Sequence, residues 1–123
     1  MNTIRVLVVD DSAFMRKIIS DILNKHPKIE VIDVARNGKE AVEKTIHLKP
    51  DVITLDIEMP IMDGLEALDH IMKEVPTPVV MLSSTAKASS DRTMVAIEKG
   101  AVDFVAKPGG SISLNLGEIE HIL

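Results

Sequence analysis

The chain has 123 residues, 46% of them hydrophobic and 27% charged, with a net charge of −5. That length and balance suit one globular domain with a single core, and the surplus of 19 acids over 14 bases argues against a sequence-independent nucleic-acid binder. Cysteine is absent, which excludes disulfides, thiolate metal sites and a cysteine nucleophile, and the only aromatics, Phe14 and Phe104, offer no platform for stacking bases.

Strand and helix signals alternate along the chain. Ile4 to Val9 is a near-continuous apolar run, the pattern of a strand covered on both faces. It breaks at Asp10-Asp11-Ser12, where Asp or Ser can cap a helix whose apolar face is Met15, Ile18, Ile19, Ile22 and Leu23. His26-Pro27 ends that helix. A second strand is expected at Ile29 to Ala35. Asn37 with Glu40 reads as a capping pair for a helix turning Ala41, Val42, Thr45 and Leu48 inward, and Lys49-Pro50 closes it.

The third strand, Val52 to Asp56, ends in a carboxylate followed by the turn residues Pro60 and Asp63-Gly64. Asp63 and Glu66 open a third helix carrying Leu65, Leu68, Ile71 and Met72. Strand four is Val79 to Leu82, ending in Ser83-Ser84-Thr85. A further helix is expected at about Ser90 to Lys99, with Gly100 as its left-handed terminator. Strand five is Val102 to Ala106, leading into Lys107-Pro108-Gly109-Gly110. Five strands alternating with helices predict an α/β fold, a doubly wound, three-layer parallel sheet, taken in the flavodoxin-like order 2-1-3-4-5. Residues 1–108 form the domain proper. Residues 109–123 read as linker and the start of a fifth helix, cut short where it should lengthen.

Asp10-Asp11, Asp56, Ser83 and Lys107 all fall at carboxyl ends of strands, the edge where open α/β sheets bind ligands. Each alone also fits a structural role: Asp10, Asp11 and Ser12 as caps, Asp56 as a turn residue, Ser83 as an N-cap residue, Lys107 as a solvated loop lysine. Together they place three acids in one cleft. Three like charges there call for a hard divalent cation, and Mg²⁺ suits few carboxylates with waters and a phosphate oxygen. Asp56 is the expected phosphoryl acceptor.

This conjunction resembles the receiver domain of bacterial two-component response regulators. The motifs that carry it are Val6-Leu-Val-Val-Asp10-Asp11-Ser12, Asp56-Ile-Glu-Met-Pro60-Ile-Met-Asp-Gly64, the hydroxyl of Ser83 and Lys107-Pro108, in that order. The run Gly100 to Leu114 is similar to the receiver half of chemotaxis protein-glutamate methylesterase/glutaminases. The resemblance implies that a histidine kinase of the chemotaxis type phosphorylates Asp56. It also implies that Asp10, Asp11, Asp56 and the backbone carbonyl of Glu58 ligate Mg²⁺ (or Mn²⁺), and that Lys107 and Ser83 contact the phosphoryl group. Ser83 and Phe104 would then form the switch. Expected partners are the kinase, the chain's own C-terminal methylesterase domain and, through it, chemoreceptors, with no nucleic acid and no membrane insertion.

Two departures from the family pattern stand out. Ser83 occupies a position where many receivers have threonine. No Gly-x-Ser-x-Gly elbow is present, and none of the histidines (26, 47, 70 and 121) is placed as a base for a serine, so this stretch should lack esterase activity. The N-terminus lacks a signal-peptide pattern and no apolar run reaches the roughly 20 residues of a span, which suggests the cytoplasm. Competing readings are a stand-alone receiver, an Asp-nucleophile phosphohydrolase and a flavodoxin. Asp10-Asp11 would repel the phosphate of a flavin, and the phosphohydrolase wants its nucleophile after strand one.

Overall fold

The computed structural model describes residues 3–83 and 98–106, with Ser83 and residues 103–106 described through their backbone. The elements are β1 (Ile4–Val9), α1 (Ala13–Asn24), β2 (Ile29–Ala35), α2 (Gly38–Leu48), β3 (Val52–Asp56), α3 (Gly64–Glu74), β4 (Val79–Ser83) and β5 (Asp103–Ala106). All five strands join one sheet in the order β2-β1-β3-β4-β5, every pair parallel. This is the flavodoxin-like order that was expected.

Strand periodicity divides the core into two layers. Leu7, Val9, Ile53, Leu55, Val79 and Met81 face Ala41 and Val42 of α2 and Ala67, Leu68 and Ile71 of α3. Val6, Val8, Val80 and Leu82 face Ile19 and Leu23 of α1 on the opposite side. Successive strand residues point to opposite faces, so the stretch of a central strand covered by helices on both sides must be apolar on both, as Val6 to Val9 of β1 are. One residue breaks the regularity. The β1–β2 register shifts between Val6 and Leu7, whose partners are Val31 and Asp33, so Ile32 is an extra residue in edge strand β2.

The helix ends follow their local chemistry. Ser12, Asn37 and Asp63 are the N-caps, accepting from the amides of Met15, Glu40 and Glu66 at 3.2, 2.9 and 2.9 Å. Glu40 does not close a reciprocal box on Asn37. Its carboxylate instead accepts from the amide and the guanidinium of Arg36, one residue earlier. Lys49 ends α2 in the left-handed conformation (φ 48°), because the proline that follows disfavours a right-handed helical residue before it. Arg5 then binds the carbonyls of Leu48 and Lys49, each at 2.9 Å, tying the helix end to β1.

Small differences from expectation lie at strand ends. β4 extends to Ser83, and β5 begins at Asp103 rather than Val102, although the Val102 amide still donates to the Val79 carbonyl at 2.8 Å. Gly100 has the expected positive φ of 111°. The helix expected from Ser90 lies outside the described residues except at its last turn, and so does the segment after Ala106.

Candidate functional site

From β1 the chain runs to the edge strand β2 and then returns across β1 to β3. The direction of winding therefore reverses between β1 and β3, and a crevice opens above their carboxyl ends. Asp10 follows β1 and Asp56 ends β3, so the reversal brings two acids from distant parts of the chain side by side. Asp11 joins them. Carboxylate oxygens of Asp10, Asp11 and Asp56 all lie within 4.8 Å of one another.

Burial sharpens the contrast among the three. Asp10 is 0% and Asp56 2% exposed, whereas Asp11 faces solvent. Two full charges 4.8 Å apart repel by roughly 3 kcal/mol at an effective dielectric constant of ~20. Carboxylates are seldom buried without partners, and Asp10, Asp56 and Glu58 each have polar interactions in the fold. The site is a cluster of hard oxygen donors with one open side. That donor set fits Mg²⁺, which binds through one or two carboxylates while keeping waters, and it does not fit a soft metal.

The β1–α1 junction holds Asp10 in place. Its amide donates to the Ala35 carbonyl at 3.0 Å, its carboxylate accepts from the Ser12 amide at 2.9 Å, and its carbonyl accepts from Arg16 Nη1 at 2.8 Å. The structural and the functional readings of this acid therefore coexist: Asp10 shapes the turn with one carboxylate oxygen while belonging to the acidic cluster, and Ser12 is the cap.

The β3–α3 loop is folded tightly over Asp56. The Ile57 amide donates to Leu82 at 3.2 Å, and the Gly64 amide returns to the Ile57 carbonyl at 2.7 Å. A Cβ on Gly64 would collide with the Asp56 carbonyl oxygen and come within 2.8 Å of Ile57 Cα, so only glycine permits this return. Met62 donates to Pro60 at 2.7 Å across Ile61, whose φ is 70°. This is a γ-turn with a β-branched residue in the left-handed region, a conformation that costs on the order of 1–3 kcal/mol. The neighbouring α2 steadies it, since the buried Gly38 amide donates to the Met62 carbonyl at 2.9 Å. Glu58, whose carbonyl is the expected metal ligand, lies in this loop and is exposed.

Ser83 closes β4 and is paired in register with Ala106, the last residue of β5, while Phe104 is paired with Met81. These pairings place both residues on strands running to the same edge as Asp56. The side chains of Ser83 and Phe104 lie outside the described residues, as does Lys107. Arg16, Gly38, Ile61 and Gly64 contribute to the geometry without having been singled out as site residues. For the two glycines, the available signal was glycine at a helix's first residue, where a side chain is ordinarily tolerated.

A parallel five-stranded α/β sheet with an acidic cluster at its β1/β3 crevice defines the class, and the family model named response regulator receiver domain matches residues 6–115. The chain belongs to the response regulator receiver domain family. Within that family its likeness is to receivers of CheB-type chemotaxis regulators. It is 53% identical to the response regulator domain of Thermotoga maritima CheB, with a TM-score of 0.86 over 98% of this chain and 90% of that one. It is 61% identical over 120 residues to the protein-glutamate methylesterase/protein-glutamine glutaminase of Geobacillus kaustophilus, covering 98% of this chain and 34% of that protein. The chain thus spans about a third of the length of the curated relatives it matches. It is also similar to a chain of the CheX-CheY-BeF3-Mg+2 complex from Borrelia burgdorferi, at 31% identity and a TM-score of 0.82 over 99% of this chain and 91% of that one. No helix among the described residues is long and apolar enough to cross a membrane.

Proposed function

We propose that this domain takes a phosphoryl group on Asp56 from a histidine kinase in an Mg²⁺-dependent reaction, and that the modified state regulates an attached methylesterase/glutaminase domain. The observation that carries the reading is the convergence of Asp10, Asp11 and Asp56 within 4.8 Å at the crevice between β1 and β3. The magnesium complex named for the Borrelia relative supports the choice of metal.

Asp10, Asp11, Asp56 and the Glu58 carbonyl would hold Mg²⁺, which supplies positive charge to balance the phosphoryl oxygens. One oxygen of Asp56 attacks phosphorus, the phosphorus–nitrogen bond to the donor histidine breaks, and the imidazole leaves with a proton. The tight β3–α3 loop keeps the Asp56 backbone from moving as the bond forms. Lys107, next in sequence after Ala106, supplies a cation for a phosphoryl oxygen, and Ser83 donates its hydroxyl to another.

Aspartate carries one negative charge and its phosphorylated form about −1.5 to −2 with three acceptor oxygens. The change in charge is small, so redirection of hydrogen bonds carries the signal: Ser83 turns toward the new acceptor and Phe104 on the adjacent strand follows. Residues 1–108 form the receiver, and 109–123 begin the route to the output domain, which would act on chemoreceptors in the cytoplasm.

Intact mass after incubation with acetyl phosphate tests the reading. The expected result is a single phosphoryl adduct that requires Mg²⁺ and is absent in Asp56→Asn. An adduct in that variant, or none in the parent chain with Mg²⁺, rejects it.

A further inference from the structure

Arg16 has no part in the chemistry above, yet its guanidinium is fixed at the edge of the acidic cluster. The residue sits one turn into α1 and is half-buried. Side chains on a helix lean toward its N-terminus, and here that lean carries Nη1 back over the cap to the Asp10 carbonyl, 2.8 Å away. The amide of the same residue donates to the Ser12 carbonyl at 2.9 Å. One residue therefore begins the helical ladder and grips the turn that carries two of the three acids.

The grip acts on peptide direction. The Asp10 carbonyl belongs to the Asp10–Asp11 peptide plane, so a bond to it sets how that plane is turned. Asp10 is already fixed by Ala35 and Ser12, but exposed Asp11 follows the plane. A charge-assisted bond from a planar guanidinium holds such a plane more firmly than a neutral donor would.

The charge itself works the other way. A permanent cation close to a divalent-cation site repels the incoming metal. Removing Arg16 should tighten Mg²⁺ binding if its charge were what mattered, and weaken it if its hydrogen bond is what matters. We infer that Arg16 is a positioning residue for the metal site, holding the Asp10–Asp11 peptide so that Asp11 faces the cation. This inference rests on the Mg²⁺-dependent phosphoacceptor reading and adds to it a residue that touches neither metal nor phosphoryl group.

The test is Mg²⁺ binding by calorimetry for the unaltered chain, Arg16→Gln and Arg16→Lys, with urea unfolding in EDTA alongside. Loss of a residue that orients a metal ligand typically weakens metal affinity roughly tenfold or more, which is the expected loss in Arg16→Gln. Arg16→Lys, which keeps a cationic donor, should recover part of it. At saturating Mg²⁺ both variants should accept a phosphoryl group from acetyl phosphate to the extent of the unaltered chain. Unchanged or tighter Mg²⁺ binding in Arg16→Gln, with stability in EDTA lowered, would overturn the inference and leave Arg16 a structural cap. Absence of Mg²⁺ binding by the unaltered chain would overturn both this inference and the reading it rests on.

Discussion

Gly38→Ala gives a clean test of how the site loop is supported, because two physical rules predict opposite signs for it. Alanine is the better helix former by about 1 kcal/mol in a helix interior, so propensity alone predicts stabilisation. The structure predicts the reverse. A Cβ at position 38 would overlap the Met62 carbonyl oxygen and lie 2.9 Å from both Met62 C and Met62 Cβ. Relief requires α2 or the β3–α3 loop to retreat, which breaks the 2.9 Å bond from the Gly38 amide to the Met62 carbonyl. Overpacking costs about 1–3 kcal/mol and the lost hydrogen bond about 0.5–1.5 kcal/mol, against at most about 1 kcal/mol of propensity gain. The expected net loss is about 0.5–3.5 kcal/mol, or roughly 2–14 °C in melting temperature for a domain of this size. Urea unfolding followed by circular dichroism measures it directly. A Gly38→Ala chain as stable as the parent, or more so, would refute the tight approach of α2 to the loop.

Three further outcomes follow from particular contacts. Among the described residues the Thr54 hydroxyl is fully buried without a hydrogen-bond partner, so Thr54→Val, nearly equal in shape, should raise stability by about 1 kcal/mol in urea unfolding. Asp11→Asn removes one of three clustered charges; in EDTA it should melt slightly higher than the parent, and Mg²⁺ should then raise its melting temperature less than it raises the parent's. The Glu40 carboxyl is held below its ordinary value of 4.5, first by its side-chain hydrogen bond with Arg36 and then by the Arg36 amide. A depressed carboxyl contributes stability that is present above its unfolded value and is lost as pH falls through its folded one. Glu40→Gln should therefore flatten the decline in stability below about pH 4.5, while an unchanged acid limb would show the pair contributes nothing.

Much of this architecture was legible because its signals are local. β3 announces itself by apolar residues running into Asp56 and a turn, and the caps at Asn37 and Asp63 lie next to the helices they start. Alternation gives the parallel sheet, and the flavodoxin-like order 2-1-3-4-5 then makes β1 and β3 neighbours, so that Asp10, Asp11 and Asp56 meet. What the residues did not disclose depends partly on approach between segments far apart in sequence and partly on where side chains near helix starts turn. Gly38 looks like a poor helix residue until Met62 is seen against it. Ile61 carries a side chain that disfavours positive φ, and only the closure of its loop by Gly64 and Gly38 explains its conformation. Arg16 reads as a residue on the polar side of α1, since nothing in a helical pattern says that its side chain returns to the preceding turn. The spacing of Glu40 from Asn37 predicts a capping pair, but its choice of Arg36 over Asn37 depends on where the chain enters the helix.

The claim at the centre of the account is that Asp56, among three neighbouring acids, receives the phosphoryl group. Reduction of the labelled chain with borohydride converts an acyl phosphate on aspartate to homoserine, which peptide mass spectrometry can place. The account predicts homoserine at position 56 alone, formed only when Mg²⁺ was present during labelling. Homoserine at position 10 or 11, or equal labelling in EDTA, would contradict it.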